Sequence, residues 1–239
     1  MKTLSNYSTI IILLSLFCTF CNSPQKNNEN SIIKNSIIEE ENTPSKVSYH
    51  LLTIRDEIAY YEDRPYTGFV FKKDETGRTQ AEANLLNGKP EGIRRMYHEN
   101  GQMESEVNFS EGKMNGKLRE FYDNGKLSLE VNMKDGERDG LLCNYRKNGS
   151  LLINKNYING KIEGISKTYD ENGQLQSECI YENGEELFTT WFYKNGKKAA
   201  EDNNRKDREW FRREYDKNGN LTYESHKNGE FGVRNSVYE

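Results

Sequence analysis

Residues 92–115 read Gly-Ile-Arg-Arg-Met-Tyr-His-Glu-Asn-Gly-Gln-Met-Glu-Ser-Glu-Val-Asn-Phe-Ser-Glu-Gly-Lys-Met-Asn, and Gly116 opens a second copy of the same pattern. Asn-Gly pairs mark each copy, at Asn100-Gly101, Asn124-Gly125, Asn148-Gly149, Asn172-Gly173, Asn195-Gly196 and Asn218-Gly219. Their spacing is therefore 24, 24, 24, 23 and 23 residues. A fixed period in this range indicates a repeat architecture, in which each unit buries its surface against its neighbours.

Each unit has the pattern of a β-hairpin. Asn-Gly between alternating apolar and polar runs predicts a two-residue turn in which both residues take positive φ. A second glycine turn follows eleven residues later, at Gly88, Gly112, Gly136, Gly160 and Gly184. The sequence therefore predicts an all-β fold, an elongated antiparallel meander of stacked β-hairpins in a single sheet, with about seven units of 23–24 residues.

A column of acidic residues lies five positions after the turn glycine. A two-residue turn would place that position opposite the residue six before the glycine, which is basic in four units. The predicted pairs are Arg95 with Glu106, Arg119 with Glu130, Lys167 with Glu178, and Arg213 with Glu224. Glu82 faces Phe71 and Glu201 faces Thr190, so these two acids have no base at the expected position. Paired carboxylates can hydrolyse sugars, but the repeated pairing with a base favours a structural ladder over catalysis.

An aromatic stripe lies four residues before each turn glycine. Its members are Tyr97, Phe121, Tyr145, Tyr169, Phe192 and Tyr215, with Tyr122 and Tyr193 beside them at the turns. One interpretation is that the rings stack on one another and on neighbouring strands. The other is that their outer surfaces form a binding track, because Tyr combines a large contact area with a polar tip. The candidate track comprises Tyr97, Tyr122, Tyr145, Tyr169, Tyr193 and Tyr215.

Composition excludes several functional classes. With 34 basic and 38 acidic residues and a net charge of −4, the chain has no basic excess that would favour nucleic acid. Only 33% of residues are hydrophobic and the mean hydropathy is −0.99, which favours a thin sheet over a thick globular core. His50, His98 and His226 are isolated, and nucleotide and nucleophile motifs are missing. We therefore expect no metal, no cofactor and no enzymatic activity.

Four segments are predicted along the chain. Residues 1–21 resemble a signal peptide with an apolar stretch at 10–20, which is too short to span a bilayer as a helix. Residues 22–46 are rich in Asn, Glu, Ser and Lys and predict a disordered tether. Residues 47–64 are interpreted as a degenerate N-terminal hairpin, and residues 65–239 as the repeat domain.

The end of the first segment, Leu16-Phe17-Cys18-Thr19-Phe20-Cys21, resembles a bacterial lipoprotein signal, in which the cysteine after the apolar run is lipidated. This predicts lipidation at Cys21, with Cys18 as the alternative site. An ordinary cleaved signal peptide and an uncleaved anchor are further alternatives. We expect a lipid-anchored protein of the bacterial cell envelope, touching the membrane only through this segment; the alternative is a secreted or periplasmic protein.

Two cysteines, Cys143 and Cys179, lie within the repeats. The first lies six residues before its turn glycine and the second six after its own, positions that the predicted register assigns to opposite faces of the sheet. We therefore expect no disulfide within a monomer, even in an oxidising compartment.

The phrase Tyr-Asp-Glu-Asn-Gly-Gln-Leu-Gln-Ser-Glu-Cys-Ile-Tyr-Glu-Asn-Gly, from Tyr169 to Gly184, resembles the bacterial variant of the MORN repeat. Related phrases recur from Pro65 to Gly232, although the sixth unit departs from the pattern: Phe188 replaces its opening glycine, Lys197-Lys198 displaces the leucine, and Asp207 occupies the second glycine position. Residues 203–207 are expected to bulge or loop out.

The resemblance implies an antiparallel sheet of stacked hairpins that serves for binding. Proteins similar to this one are often labelled antitoxins of toxin–antitoxin systems. Two functions of different class follow. The first is a non-enzymatic, envelope-tethered scaffold that binds an unknown protein or polymer through its sheet face. The alternative is an antitoxin or immunity-type protein that neutralises one toxin, which would have to act in the envelope because the chain carries a secretory signal.

Overall fold

The hairpin repeats form one large sheet in the computed structural model, which describes residues 43–204 and 210–226. The sheet has 16 strands and follows the order of the chain, so the predicted all-β meander is confirmed. Its strands are β1 (Lys46–Ser48), β5 (Gly68–Lys73), β6 (Thr79–Leu86), β7 (Lys89–Tyr97), β8 (Met103–Ser110), β9 (Lys113–Phe121), β10 (Leu127–Lys134), β11 (Glu137–Tyr145), β12 (Leu151–Ile158), β13 (Lys161–Ile162), β14 (Gly164–Tyr169), β15 (Leu175–Glu182), β16 (Glu185–Phe192), β17 (Lys198–Asn203), β18 (Phe211–Tyr215) and β19 (Leu221–His226).

The N-terminal region differs from the meander. A short 3-10 helix (Tyr49–Leu51) precedes a separate three-stranded sheet made of β2 (Thr53–Arg55), β3 (Ile58–Tyr61) and β4 (Arg64–Pro65). The segment interpreted as a degenerate N-terminal hairpin does contain a hairpin, which β2 and β3 form. This hairpin belongs to the small sheet and not to the large one. The long connection from β1 to β5 crosses back over the sheet, so β1 pairs with β5 in parallel and the large sheet is mixed.

The start of the folded region also differs from the prediction. Lys46, predicted as the last residue of the tether, is the first residue of β1 and pairs with Phe69. Its ammonium group lies 5.2 Å from the ring centroid of Phe69 and 5.0 Å from that of Phe71. Strand pairing and these cation–π contacts hold Lys46 in the folded domain. Composition alone assigned Lys46 to the tether.

The Asn-Gly turns are not the predicted two-residue type. Gly101 has φ of 82°, but Asn100 does not have positive φ. The loop contains three residues, because the Gly101 N–H donates to His98 O at 2.8 Å and the His98 N–H donates to Gln102 O at 2.8 Å. This is a type I turn closed by a glycine in the left-handed region, the usual form of a three-residue hairpin loop.

Asparagine has a different role in these turns. The Asn100 Oδ1 accepts the Gln102 N–H at 3.0 Å, and the Asn100 amide donates to Asp123 O in the next unit at 2.6 Å. The corresponding amides of Asn124 and Asn195 also donate to a carbonyl of the following unit. In these three units asparagine therefore links successive turns instead of supplying positive φ, whereas Asp170 and Asp216 close the turns at Asn172 and Asn218.

The second glycine turns are the two-residue type. In all five, the first residue has φ between 48° and 53° and the glycine has φ between 77° and 92°. Ser110 and Lys113 pair directly across Glu111-Gly112, as this turn requires. Both central residues of a type I′ turn have positive φ, so the conformation predicted for the first turn occurs at the second.

The predicted strand register is nevertheless correct beyond the first turn, because a bulge compensates for the extra loop residue. Tyr97 pairs with Met103, but Met96 pairs with Ser105, so Glu104 has no partner in that ladder. The same one-residue shift recurs in the other hairpins of this type. A three-residue loop followed by a one-residue bulge gives the same pairing as a two-residue loop.

One face of the sheet contains the core. Val107, Leu118, Val131 and Leu142 are aligned across four neighbouring strands, and Val131 is only 2% exposed. The central cluster adds Tyr157, Leu129, Met133 and Ile162. We call the side that contains the Val107–Leu142 row the core face. Its apolar side chains pack against one another along the repeat, as expected of units that bury their surface on their neighbours.

The small N-terminal sheet covers the first repeat. The Ala59 N–H donates to Gly88 O at 2.9 Å, and the Gly88 N–H donates to Tyr66 O at 2.7 Å. Tyr66 is fully buried, and its hydroxyl donates to Pro44 O at 2.9 Å. A terminal repeat has a neighbour on one side only, so this covering acts as its cap.

Several predictions lie outside the described residues. The signal peptide, both candidate lipidation sites, residues 22–42 of the tether, and residues 205–207 of the sixth-unit loop belong to this group, and so do residues 227–239. Within the described part of the chain, no helix is long and apolar enough to cross a membrane.

The turn assignment predicts that Glu111→Asn stabilises the protein. Glu111 has φ of 51°, and a side chain other than Gly or Asn in this region costs roughly 1 kcal/mol. Asparagine tolerates this conformation, so we expect a gain of about 0.5–1 kcal/mol in the free energy of unfolding, measured by urea denaturation.

The matched control is Glu99→Asn, in the turn before. Glu99 is also exposed but does not have positive φ, so the substitution should leave the free energy of unfolding unchanged. An equal gain at both positions would mean that the two turns do not differ in conformation.

Candidate functional site

A single row of side chains crosses the large sheet on the side opposite the core face. Each residue is the direct partner of the next, from Phe71 on β5 to Glu224 on β19. In order, the row is Phe71, Glu82, Arg95, Glu106, Arg119, Glu130, Cys143, Asn154, Lys167, Glu178, Thr190, Glu201, Arg213 and Glu224. We call this side the ladder face.

All four predicted ion pairs lie opposite one another in this row. The nitrogen-to-oxygen distances are 2.9 Å for Arg95–Glu106, 2.7 Å for Arg119–Glu130, 2.9 Å for Lys167–Glu178 and 2.7 Å for Arg213–Glu224. All eight side chains are partly exposed. Each pair therefore contributes only about 0.2–1 kcal/mol, and the row as a whole supports the register.

Glu82 and Glu201, which lacked a base in the predicted hairpins, have one on the other neighbouring strand. Glu82 lies 3.6 Å from Arg95, and Glu201 lies 3.5 Å from Arg213 and 2.7 Å from Lys198. The sequence argument missed these contacts because it considered partners across the first turn only. The ladder is thus shared between hairpins as well as within them.

Among the ladder carboxylates, Glu130 and Glu224 are poor candidates for acid catalysis. The hydrogen bond from Arg119 lowers the pKa of Glu130, and the hydrogen bond from Arg213 lowers the pKa of Glu224. A general acid at neutral pH needs a raised pKa. These groups are ionised at pH 7 and held by a base, which is the arrangement expected of structural pairs.

The stripe rings do not stack on one another, so that part of the structural interpretation is wrong. In the described chain, the ring contacts of the large sheet lie elsewhere, for example between Phe188 and Phe211 with centroids 6.2 Å apart. Successive stripe rings are two strands apart, or about 9.6 Å, which exceeds the 4.5–7 Å of aromatic pairs.

Two stripe hydroxyls bind the ladder instead. Tyr97 donates to the Glu82 carboxylate at 2.7 Å, and Tyr215 donates to Glu201 at 2.8 Å. Burial and the hydrogen bond to Glu82 raise the pKa of Tyr97 to about 12. Tyr145 and Tyr169 belong to the same stripe and are partly buried. At least two of the predicted track hydroxyls are therefore already bound within the protein.

The turn tyrosines connect neighbouring units. Tyr122 donates its hydroxyl to Tyr145 O at 2.7 Å, and Tyr193 donates to Tyr215 O at 2.7 Å. At the same position of its own unit, Arg146 donates to Tyr169 O at 2.6 Å. The side chain three residues before the turn glycine thus donates a hydrogen bond to the main-chain carbonyl of the stripe residue in the next unit. These tyrosines therefore have a structural role in addition to any binding role.

An exposed apolar row runs beside the ladder and was missed from the sequence. Ile165 is 53% exposed, and Ile180, its direct partner, is 42% exposed. Leu141 is also 53% exposed, but its direct partner is the polar Asn156. Phe188 pairs with Ile180 and continues the row. The sequence signal is the residue after each unit-opening glycine, which is apolar at Ile93, Leu141 and Ile165 but is Lys117 in the second full unit.

The two cysteines occupy different faces, as the sequence predicted. Cys143 lies in the ladder row, whereas Cys179 pairs with Ser166 and Thr189 in a row of the core face. Both are free thiols. Within the described part of the chain, no group of three or more His, Cys, Asp or Glu residues has the geometry of a metal site.

Comparison with known protein families identifies the repeat. The model of the MORN repeat variant matches residues 90–111, 114–135 and 162–183. The chain therefore contains MORN-variant repeats, which form a repeat scaffold. No curated protein matches the sequence.

Solved structures give only distant similarity. A TarM mutant of S. aureus, in complex with Fondaparinux, alpha-GlcNAc-glycerol and UDP, aligns at 16% identity over 40% of this chain with a TM-score of 0.28. Accessory secretory protein 1, 2 and 3 of Streptococcus pneumoniae aligns at 12% identity over 46% of this chain with a TM-score of 0.19. The chain spans 19% of the length of either protein, and scores this low carry no argument.

The ladder predicts energetic coupling between Arg119 and Glu130. A double-mutant cycle with Arg119→Gln and Glu130→Gln should give a favourable coupling of about 0.2–1 kcal/mol at pH 7. Because folding lowers the pKa of Glu130 below its ordinary 4.5, the coupling should be complete above that pH. It should disappear as the pH falls through the lowered pKa. Urea denaturation at several pH values measures both.

Arg95 with Glu130 is the control pair, because these residues belong to the same row but are separated by β8 and β9. Their coupling should be close to zero at every pH. A coupling for Arg119 and Glu130 that persists after protonation of the carboxylate would mean that packing of the side chains, and not their charge, joins the strands.

Proposed function

We propose that this protein is a non-enzymatic repeat scaffold of the bacterial cell envelope that binds another protein through its ladder face. The observation that carries the proposal is the exposed pair of direct partners Ile165 and Ile180, which Phe188 continues on the next strand. Soluble proteins rarely expose contiguous apolar rows without a partner. The occurrence of MORN-variant repeats supports a scaffold role, since such repeats commonly bind partners.

The surroundings of the row fit a protein partner better than a polymer. The apolar side chains form a strip with Phe188 at one end, and Lys167 and Glu178 of the ladder lie beside it. Protein interfaces combine an apolar centre, often with aromatic residues, and a polar rim. The ladder pairs are already satisfied within the sheet, so they can form such a rim without leaving a charge unpaired.

The corresponding position in the N-terminal half differs. Ile93 is 38% exposed, but Asn108 is its direct partner and Lys117 follows in the next unit. An isolated exposed apolar residue is ordinary on a protein surface. We therefore assign the partner site to the C-terminal half of the ladder face and use Ile93 as an internal reference.

The antitoxin role is a narrower form of the same proposal, in which the bound protein is a toxin. Both roles would use an exposed face of the sheet, and both need a secretory signal if the partner acts in the envelope. Identification of the bound protein separates them. The scaffold form is preferred because it requires only the features that the repeats possess.

The binding-face proposal is tested by photo-crosslinking in the native cell. A photoreactive amino acid at position 180 should capture one specific protein, and the double substitution Leu141→Glu and Ile165→Glu in the same chain should reduce capture at least about tenfold. Both substituted side chains are exposed, so the melting temperature should stay within a few degrees. Mass spectrometry identifies the captured protein.

Ile93→Glu is the matched control, because it makes the same change at the same repeat position outside the proposed site. It should leave capture unchanged. Equal loss with Ile93→Glu, or no specific capture from position 180, would place the partner site elsewhere.

The envelope proposal is tested by metabolic labelling with a radioactive fatty acid. The label should enter the wild-type chain and the Cys18→Ser variant but not the Cys21→Ser variant. Label that is lost only with Cys18→Ser would move the site to the earlier cysteine, and an unlabelled wild type would favour an ordinary cleaved signal peptide.

A further inference from the structure

A cavity of about 260 Å³ lies on the core face at the first repeat, beneath the N-terminal cap. The cap contributes Leu52, Ile54 and Ala59 to its wall. Most of the remaining wall is apolar and comes from the large sheet, including Val70, Ala81, Ala83, Leu85, Phe109 and Met114. The volume is just below the ~300–1,000 Å³ of pockets that hold drug-sized ligands, so an occupant would be small.

Small side chains in one unit create this cavity. Ala81 and Ala83 lie on the core face, where the next two units have Ser105 and Val107, then Leu129 and Val131, at the same repeat positions. Val107 and Val131 are buried, but a second cavity of about 270 Å³ lies at the next unit and is lined by Arg94, Glu104, Ser105, Val107 and Leu118, among others. The cavity beneath the cap differs from this second cavity in its mostly apolar wall, because His98, Glu104 and Glu120 line the second cavity.

A charged residue lies at the edge of this apolar wall. Arg94 occupies the core-face position at which Leu118 and Leu142 stand in the next two units. Its burial lowers the pKa of the guanidinium group. Arginine at a core position is rare unless it is paired, because an unpaired buried charge is costly.

Arg94 has no carboxylate partner at ion-pair distance among residues 43–204 and 210–226. The hydrogen bond it makes there is a weak one, to the Met96 sulfur at 3.3 Å. Glu104 and the Tyr49 hydroxyl act on it electrostatically from farther away. By contrast, Arg212 on the core face contacts Asp202 at 3.2 Å and Glu214 at 3.0 Å.

We propose that this cavity binds a small aliphatic carboxylic acid, with the hydrocarbon chain against the apolar wall and the carboxylate on the Arg94 guanidinium. Tyr49 also lines the cavity and offers a hydroxyl close to the same end. A guanidinium binds a carboxylate through two parallel hydrogen bonds, and few other ligand groups match both that geometry and an apolar wall. Lys72, Glu57 and Glu82 also line the cavity, and the Glu82 carboxylate accepts the Tyr97 hydroxyl on the ladder face.

This site is separate from the proposed partner-binding face, which lies on the other side of the sheet. Its ligand is a small molecule and the partner of the ladder face is a protein. The two proposals can therefore fail independently.

Octanoate is the probe, and the full chain in lipid nanodiscs is the protein, with empty nanodiscs as the blank. Equilibrium dialysis of radiolabelled octanoate should show saturable binding of one molecule per chain. Octan-1-ol has the same hydrocarbon chain without the charge and should bind at least about tenfold more weakly, because a hydrogen bond between charged groups is lost.

Three variants locate the binding. Arg94→Gln should weaken octanoate binding at least about tenfold and leave the binding of octan-1-ol unchanged. Ala83→Leu should abolish the binding of both by filling the cavity. Arg138→Gln, which removes an arginine that contacts Tyr157 away from the cavity, should leave the binding of both unchanged.

The melting temperature of each variant, followed by circular dichroism, shows that it is folded. If Arg94→Gln does not fold, the comparison of octanoate with octan-1-ol on the wild-type chain decides the question. The proposal is overturned if octanoate does not bind saturably, if octan-1-ol binds as tightly, or if folded Arg94→Gln retains full affinity for octanoate.

Discussion

Strand register is the constraint on which this structure depends. A slip of one residue in any hairpin would move every following side chain to the opposite face of the sheet. Each unit prevents this slip at two places, with a three-residue loop followed by a bulge at one end and a two-residue turn at the other. Turn-to-turn hydrogen bonds such as Asn100 to Asp123 O and Tyr122 to Tyr145 O then fix one unit relative to the next.

Register was predictable from the sequence although the turn conformation was not. The 24-residue period and the alternation of side chains determine which residues must face each other, and the Arg119–Glu130 pair agrees with that pattern. Asn100 accepts the Gln102 N–H within its own turn and donates to Asp123 O of the next unit, and only the second bond needs the assembled repeat. Asn172 and Asn218 also lack positive φ, and in their turns the side chains of Asp170 and Asp216 accept the turn N–H groups. Side-chain hydrogen bonds to the turn backbone therefore accompany the three-residue loop in place of the predicted two-residue turn.

The candidate site was less predictable than the fold. The ladder pairs within hairpins followed from register, but the partners of Glu82 and Glu201 lie across the second turn. The exposure of Leu141 and Ile165 could not be inferred from their type, because apolar residues occupy both faces of the strands. The N-terminal cap follows no repeat pattern at all, so its contact with Gly88 and the cavity beneath it had no signal in the period.

The two faces of the sheet have opposite requirements, and residues that depart from the requirement of their face are therefore informative. A ladder of alternating charges keeps an exposed sheet face from associating with other sheets, so an apolar row at Ile165 and Ile180 works against that protection. The core face needs apolar contacts between units, so Arg94 in place of leucine works against packing. Neither exception strengthens the repeat, and each has a small structural cost that the neighbouring units do not have. Departures of this kind from a consistent local pattern are expected where a sequence serves a function besides folding. The exposed row and the Arg94 cavity are therefore the two departures on which the proposed binding sites rest.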